Sequence, residues 1–245
     1  MTVTIVMPAY NEEEGIAGFI EELATELKLF EPSFIVVNDL STDATEARVK
    51  DLSQAQIPVE VHTNSVNLGH GPSTLRALNF GLASNSEIVV AIDGDGQFLG
   101  TDVARLVQII VEDLEIDVIE GVRQHRDDPV YRVIVSSVTR NLVWSRARVR
   151  PIDANTPLRV YRRQALIQLL NKLPENSMTP NLLISAKTRR QGVRHAEIDV
   201  QSIPRRDTDQ GGSTWKAKTQ SLPSKRFIKF CTQAAGQWLT TPLKN

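Results

Sequence analysis

The chain of 245 residues is 41% hydrophobic and 23% charged, the balance of a globular protein with a core to bury, and its length suits one αβ domain. No run approaches the roughly 18 consecutive apolar residues of a membrane span. The start, MTVTIVMPAYNEEEG, passes straight into a strand pattern with no basic leader, and a single cysteine, Cys231, excludes an intrachain disulfide, so a cytoplasmic protein is expected.

The net charge of −1 conceals an asymmetry. Residues 1–122 hold 5 Lys/Arg against 21 Asp/Glu, a net of −16, whereas residues 123–245 hold 23 against 8, a net of +15. An acidic half suits a metal; a basic half suits phosphates or the inner face of an anionic membrane. Glu12–Glu14, Glu21 and Glu22 read partly as solvated helix surface. No linker or repeat divides the chain, so 1–245 is read as one domain.

Strand and helix patterns alternate through the first half. Thr2–Met7 reads as a strand, and Gly15–Leu29 as a helix with apolar residues at Ile16, Phe19, Ile20, Leu23 and Leu27. Ser33–Asn38 is a second strand, followed by a helix from Asp43, where Asp43 and Glu46 have capping-box spacing. Val59–Thr63, a helix over Pro72–Ala83 and a strand over Glu87–Ile92 complete a βαβαβαβ order, which predicts a mostly parallel sheet wrapped by helices. Beyond it the pattern predicts a helix over Thr101–Leu114, a strand over Asp117–Gly121, a long helix over Pro129–Arg148 and a strand over Pro157–Tyr161. A helix opened by Thr179 and Pro180 and a last strand over Val193–Ile203 follow, with Cys231 on a C-terminal helix.

Ligands of open parallel sheets bind beyond the carboxyl ends of the strands. Three polar clusters fall there: Pro8-Ala9-Tyr10-Asn11-Glu12, Asn38-Asp39-Leu40-Ser41-Thr42-Asp43 and Asp93-Gly94-Asp95-Gly96-Gln97. In the third, two carboxylates leave a buried strand into a tight loop. Their repulsion is costly unless a proton or cation intervenes, and Mg²⁺ or Mn²⁺ with oxygen ligands suits the spacing. An EF-hand is excluded, because Phe98 and Ala104 stand where that loop needs Gly and Glu. A dinucleotide fingerprint is excluded because Gly94, Gly96 and Gly100 are spaced wrongly.

Ile5–Glu12, Val36–Asp43, Asn67-Leu68-Gly69 and Asp93–Gln97 together resemble glycosyltransferase family 2. The resemblance is strong over residues 3–100. It continues to about 215 through Asp153, Leu158–Arg163 and Gly211-Gly212-Ser213, which are similar to the dolichol-phosphate mannose synthase branch. It implies a GT-A fold and an inverting transfer of a hexose from a GDP- or UDP-sugar, with a polyprenyl phosphate as the leading acceptor and a glycan or other hydroxyl as the alternative. No nucleic-acid partner is expected. Carried over by position, it implies that Pro8, Ala9, Tyr10, Glu12, Asp39, Asp93 and Gly94 line the nucleotide-sugar site. Asp39 would bond the base, and Asp93, Asp95 and Gln97 would hold Mg²⁺ or Mn²⁺.

The chain departs from the family at Asn38, Leu40, Pro157-Leu158 and Thr214, where Asp, Gly, Gly-Phe and Lys are usual. It also lacks the Gln-x-x-Arg-Trp motif of processive synthases. Arg123, Arg126, Arg132, Arg159, Arg205 and Arg206, with Ser213, are candidates to meet an acceptor phosphate, since a guanidinium fork matches its oxygens. Asp153 is the candidate base or acceptor-orienting residue, and His70 could approach the donor. A nucleotide-sugar-binding protein without turnover is disfavoured because both aspartates of the metal motif are intact. A sugar-nucleotide pyrophosphorylase is disfavoured because no glycine-rich, basic phosphate loop follows the first strand.

Overall fold

Along the first strand every side chain from Val3 to Ala9 is buried, which is possible only when both faces of the sheet are covered. The computed structural model describes residues 1–124, 130–206 and 225–244, with the side chains of 130–135 and 225–229 left out. In chain order the elements are β1 (Val3–Ala9), α1 (Ile16–Glu26), β2 (Pro32–Asn38), α2 (Thr45–Gln54), β3 (Val59–Thr63), α3 (His70–Ala83), β4 (Ile88–Ala91) and α4 (Gly100–Glu112). There follow β5 (Val118–Gln124), α5 (Val130–Ala147), β6 (Arg159–Arg162), α6 (Arg163–Leu170), α7 (Pro180–Arg190), β7 (His195–Gln201) and α8 (Lys225–Thr240).

Among the described residues the strands form one sheet in the order β3-β2-β1-β4-β6-β5-β7. All neighbours are parallel except β6, which runs antiparallel to both β4 and β5. The two-residue side-chain period sorts each strand between two cores. Val3, Ile5 and Met7 face α1, α2 and α4 together with Phe34, Val36 and Val90. Val6, Ile35, Val37 and Val89 face α3, α6 and α7. Thr4 is the polar exception in β1, and its hydroxyl lies within hydrogen-bonding distance of Ser33, Ser84 and Ser86. A third cluster joins α5, α7 and α8 through Val143, Ala147, Leu182, Leu183 and Trp238.

Two predicted caps do not form. Asp43 lies outside α2 and accepts from the backbone N–H and hydroxyl of Thr45. Glu46 turns instead to Lys50, Thr63 and Asn38, because these partners lie on the neighbouring strands and the next helical turn. Thr179 precedes the Pro180 that opens α7 but makes no side-chain cap. The helix α6 was not expected, since β6 runs into it at Arg162–Arg163 with no Gly or Pro between.

The antiparallel strand carries a buried ion-pair network. Glu120 of β5 accepts from Arg159 of β6 at 2.7 Å and from Arg189 of α7 at 2.7 Å, and all three side chains are 0% exposed. Arg189 also meets Glu197 of β7 at 3.0 Å. Burial alone would raise the Glu120 carboxyl, but the two guanidiniums offset it and hold the group below its ordinary range.

Candidate active site

The carboxyl ends of β1 and β2 are laced together. Asn11 N–H donates to Ser41 Oγ (3.0 Å), Thr42 N–H donates to Asn11 Oδ1 (2.9 Å), and Glu12 N–H donates to Thr45 Oγ1 (2.8 Å). Glu13 and Asp43 each accept from the other loop's backbone, at 2.7 and 3.2 Å. Pro8 and Ala9 end β1 buried, with Tyr10 half-buried just beyond them. Asp39 ties in a third loop: its carboxylate accepts from Asn64 Nδ2 (2.7 Å) and from the N–H groups of Leu68 and Gly69 (both 2.8 Å). This buried carboxylate therefore builds the wall between β2 and α3, a task beyond the expected bond to a base.

The two departures in the second motif have local reasons. Asn38 donates its amide to Glu46 and Thr63 and accepts from Ser41 N–H. An aspartate there would set two carboxylates against each other. Leu40 adopts φ +60°, the left-handed region where glycine is at ease, with its side chain exposed. Leu40→Gly is therefore expected to raise the unfolding free energy by about 0.5–1 kcal/mol, the relief of left-handed strain less the extra chain entropy of glycine. Urea denaturation midpoints measure this; a lowered midpoint would mean that the leucine side chain holds the loop.

The carboxyl end of β4 carries Asp93-Gly94-Asp95-Gly96-Gln97. Gly94 is tightly enclosed, because a Cβ would lie 3.0 Å from Pro8 O and 3.3 Å from Ala9 Cβ. The loop is thereby pressed against the end of β1. Gly96 has φ +67°, and a Cβ there would strike the Arg206 side chain at 2.7 Å. Burial, and then the charge of Asp93, push the Asp95 carboxyl up to about 6, against the opposing influence of Arg205, the Gln97 N–H and His70. His70, the first residue of α3, stands with Nε2 3.6 Å from Asp93 Oδ1.

The chain beyond β7 closes this loop. Ile203 N–H donates to Gln97 O (3.0 Å), and Gln97 Nε2 donates to Ile203 O (3.4 Å), leaving Oε1 as the acceptor on that amide. Arg205 pairs with Glu12. Arg206 donates to Gly96 O (3.0 Å) and Phe98 O (3.2 Å), pairs with Glu22 and lies over the Phe19 ring. Arg206, expected at an acceptor phosphate, bonds instead to the Gly96–Phe98 backbone and to Glu22. Glu22 is half-buried and not simply helix surface, since it also accepts from Gly100 N–H at 2.5 Å. Glu12 is likewise buried beside Arg205.

Because β6 is antiparallel, the loop leading into it lies at the same sheet edge. It places Asp153 against Arg123 of β5, with Nε–Oδ2 at 2.8 Å and Nη2–Oδ1 at 3.2 Å. Arg159 was expected at an acceptor phosphate and is not there. It is sealed in the core, bonded to Glu120 and to the carbonyls of Ala154 and Thr156. Arg126 and Ser213, with Gly211, Gly212 and Thr214, lie outside the described residues, as does the side chain of Arg132. His62 is structural, stacked 3.8 Å from Phe80. Among the described residues no group of three or more His, Cys, Asp or Glu could hold a metal ion.

Comparison with known proteins bears on this arrangement. The model of "Glycosyl transferase family 2" matches residues 4–170, which contain all three polar clusters and the Arg123–Asp153 pair. The chain belongs to glycosyltransferase family 2. Curated relatives of this family member include the undecaprenyl-phosphate 4-deoxy-4-formamido-L-arabinose transferases of Yersinia enterocolitica and Pectobacterium carotovorum. They are 29% and 28% identical over 80% of this chain and 60% of theirs. The chain thus spans about 60% of the length of these relatives. Among solved structures, glucosyl-3-phosphoglycerate synthase from Mycobacterium tuberculosis superposes with a TM-score of 0.67 at 20% identity, covering 98% of this chain and 79% of that one. That structure is a complex with Mn²⁺, UDP and glucosyl-3-phosphoglycerate. The likeness carries the fold, which is GT-A, as expected from the sequence. Among the described residues no helix is long and apolar enough to cross a membrane.

Proposed function

We propose that this family 2 chain transfers a hexose, with inversion, from a nucleoside-diphosphate sugar to a polyprenyl phosphate. The donor lies across the carboxyl ends of β1, β2 and β4. Tyr10 and the loop anchored by Asp39 flank the nucleoside, and Pro8, Ala9 and Gly94 form the floor. Asp93 and Asp95, with Gln97 Oε1, would hold Mg²⁺ or Mn²⁺. Two carboxyls and an amide leave coordination positions for donor phosphates and water, the usual arrangement for these ions. The raised Asp95 supports this fit, because two crowded carboxyls at a buried loop gain most from a divalent cation. When bound, the cation would offset the negative charge that develops on the leaving nucleoside diphosphate.

The observation that favours a phosphate acceptor is the Arg123–Asp153 pair. A hydroxyl acceptor needs a base to take its proton, whereas a phosphate arrives ionised and needs positioning. Asp153, held by two guanidinium donors, is poorly suited to the first task. It serves the second by fixing the plane of Arg123, whose other donors are then oriented for phosphate oxygens.

The test is a transfer assay of UDP- and GDP-sugars with a polyprenyl phosphate and, separately, with hydroxyl acceptors, run on wild type and Asp153→Asn. The expected product is an inverted glycosyl phosphate. The substitution should raise the KM for acceptor about tenfold or more while kcat changes little, consistent with loss of a charged hydrogen-bond partner worth about 1.5–3 kcal/mol. Transfer to a hydroxyl acceptor alone, with kcat collapsing in Asp153→Asn, would make Asp153 the base and the acceptor a glycan.

A further inference from the structure

We propose that the C-terminal half of α5 and the loop after it form a docking face for an anionic lipid bilayer. Thirteen large apolar side chains are exposed among the described residues, and five of them, Val138, Leu142, Trp144, Val149 and Ile152, fall between residues 138 and 152. Trp144 is 51% and Ile152 54% exposed. The same stretch contains Arg140, Arg146, Arg148 and Arg150 and no acidic residue. Exposed apolar groups interleaved with arginine, and one tryptophan among them, have the composition of a segment that lies in a lipid interface.

The arginines divide between two tasks. Arg146 is spent inside the protein: it donates to the carbonyls of Trp238 and Thr241 and lies 5.2 Å from the Trp238 ring centroid, which fastens α5 to α8. Arg148 and Arg150 are exposed. Beside them opens a cavity of about 490 Å³ whose lining includes Arg146, Arg148, Arg190 and Lys244. Arg148, Arg190 and Lys244 around one open recess suit an anionic headgroup, with the apolar side chains alongside entering the acyl boundary. Charge complementarity thus selects an acidic bilayer as the occupant.

The position of the face gives it a purpose, which rests on the polyprenyl phosphate reading. Arg150 and Asp153 are only three positions apart, at most about 10 Å of extended chain. The docking face therefore runs into the Arg123–Asp153 pair, and a lipid-borne phosphate at the bilayer surface lies within reach of that guanidinium.

The experiment uses the full chain and vesicles free of polyprenyl phosphate, composed of phosphatidylcholine with or without phosphatidylglycerol. Wild type should co-sediment with the acidic vesicles, and less so as salt rises. The double variants Leu142→Ala/Trp144→Ala and Arg148→Glu/Arg150→Glu should each bind about tenfold or more weakly. Both should keep wild-type nucleotide affinity and circular dichroism, which separates loss of docking from misfolding. Trp144 fluorescence should be quenched by brominated lipid, a signal absent from Trp144→Phe. Transfer to a short polyprenyl phosphate in detergent micelles should be the same in all variants; if wild type shows no such transfer yet binds acidic vesicles, the acceptor reading fails and the docking face stands. Unchanged vesicle binding in both double variants would overturn the proposal. So would a wild-type dimer in sedimentation velocity that these substitutions convert to monomer, because the face would then cover a second copy of the chain.

Discussion

Glu120→Ala is expected to lower the unfolding free energy by about 3–5 kcal/mol, a large part of the roughly 5–15 kcal/mol that holds a domain together. The carboxylate sits between two guanidiniums with no exposure, so its removal takes the salt bridge from buried Arg159 and leaves Arg189 with Glu197 alone. Glu120→Gln should cost less, since the amide oxygen still accepts from one of them. The pH dependence has a definite sign. The folded carboxyl lies below its ordinary value, so its contribution is complete above the unfolded pKa of about 4.3 and is lost only as the pH falls through the lower, folded value. Guanidinium chloride midpoints across this range measure both effects. A midpoint for Glu120→Ala equal to that of wild type would mean that water reaches Arg159 and Arg189.

Asp95→Ala is expected to reduce kcat on the order of 1,000-fold, about 4 kcal/mol of barrier, while leaving the fold intact. EDTA should have the same effect on wild type, reversed by Mn²⁺ or Mg²⁺. A second readout needs no substrate. The folded Asp95 carboxyl is raised from 3.8 to about 6, so without a cation the protein loses stability as pH rises through that interval. Mn²⁺ should therefore raise Tm more at pH 7.5 than at pH 5, and the difference should disappear in Asp95→Asn. Full turnover in Asp95→Ala would remove the cation from this loop.

The first half of the chain was legible because its signals are local. Three of the first four strands, β1, β2 and β4, are short apolar runs ending in a polar cluster, and the sheet direction places those clusters at one edge. Charge was less legible, because a residue's type does not tell whether its partner is water or a distant side chain. Arg159 finds Glu120 39 residues away, and Arg206 finds Gly96 110 residues away. Neither distance leaves a periodic trace, so both arginines read as candidates for a phosphate. Glu22 read as surface for the same reason. The α6 helix went unseen because the break between strand and helix needs no turn residue when the polypeptide leaves the sheet at an arginine pair.

The stretch that matches the family model ends with α6, yet Arg206, Ile203 and the edge strand β7 all come later in the chain. The loop bearing Asp93 and Asp95 is thus finished by residues synthesised after the whole matched stretch. A fragment stopped near residue 170 would carry all three polar clusters and still lack the contacts that Ile203 and Arg206 make with Gly96, Gln97 and Glu22. Ribosomal synthesis consequently completes the packing around this loop only once the region through Arg206 is made. Recombination between relatives faces the same constraint: a crossover placed between the motifs and β7 exchanges the latch separately from the loop it fits. Such hybrids should fold around the β1–β4 sheet and fail at the Asp93–Gln97 loop, so the heritable unit of this site is longer than the set of motifs that identifies it.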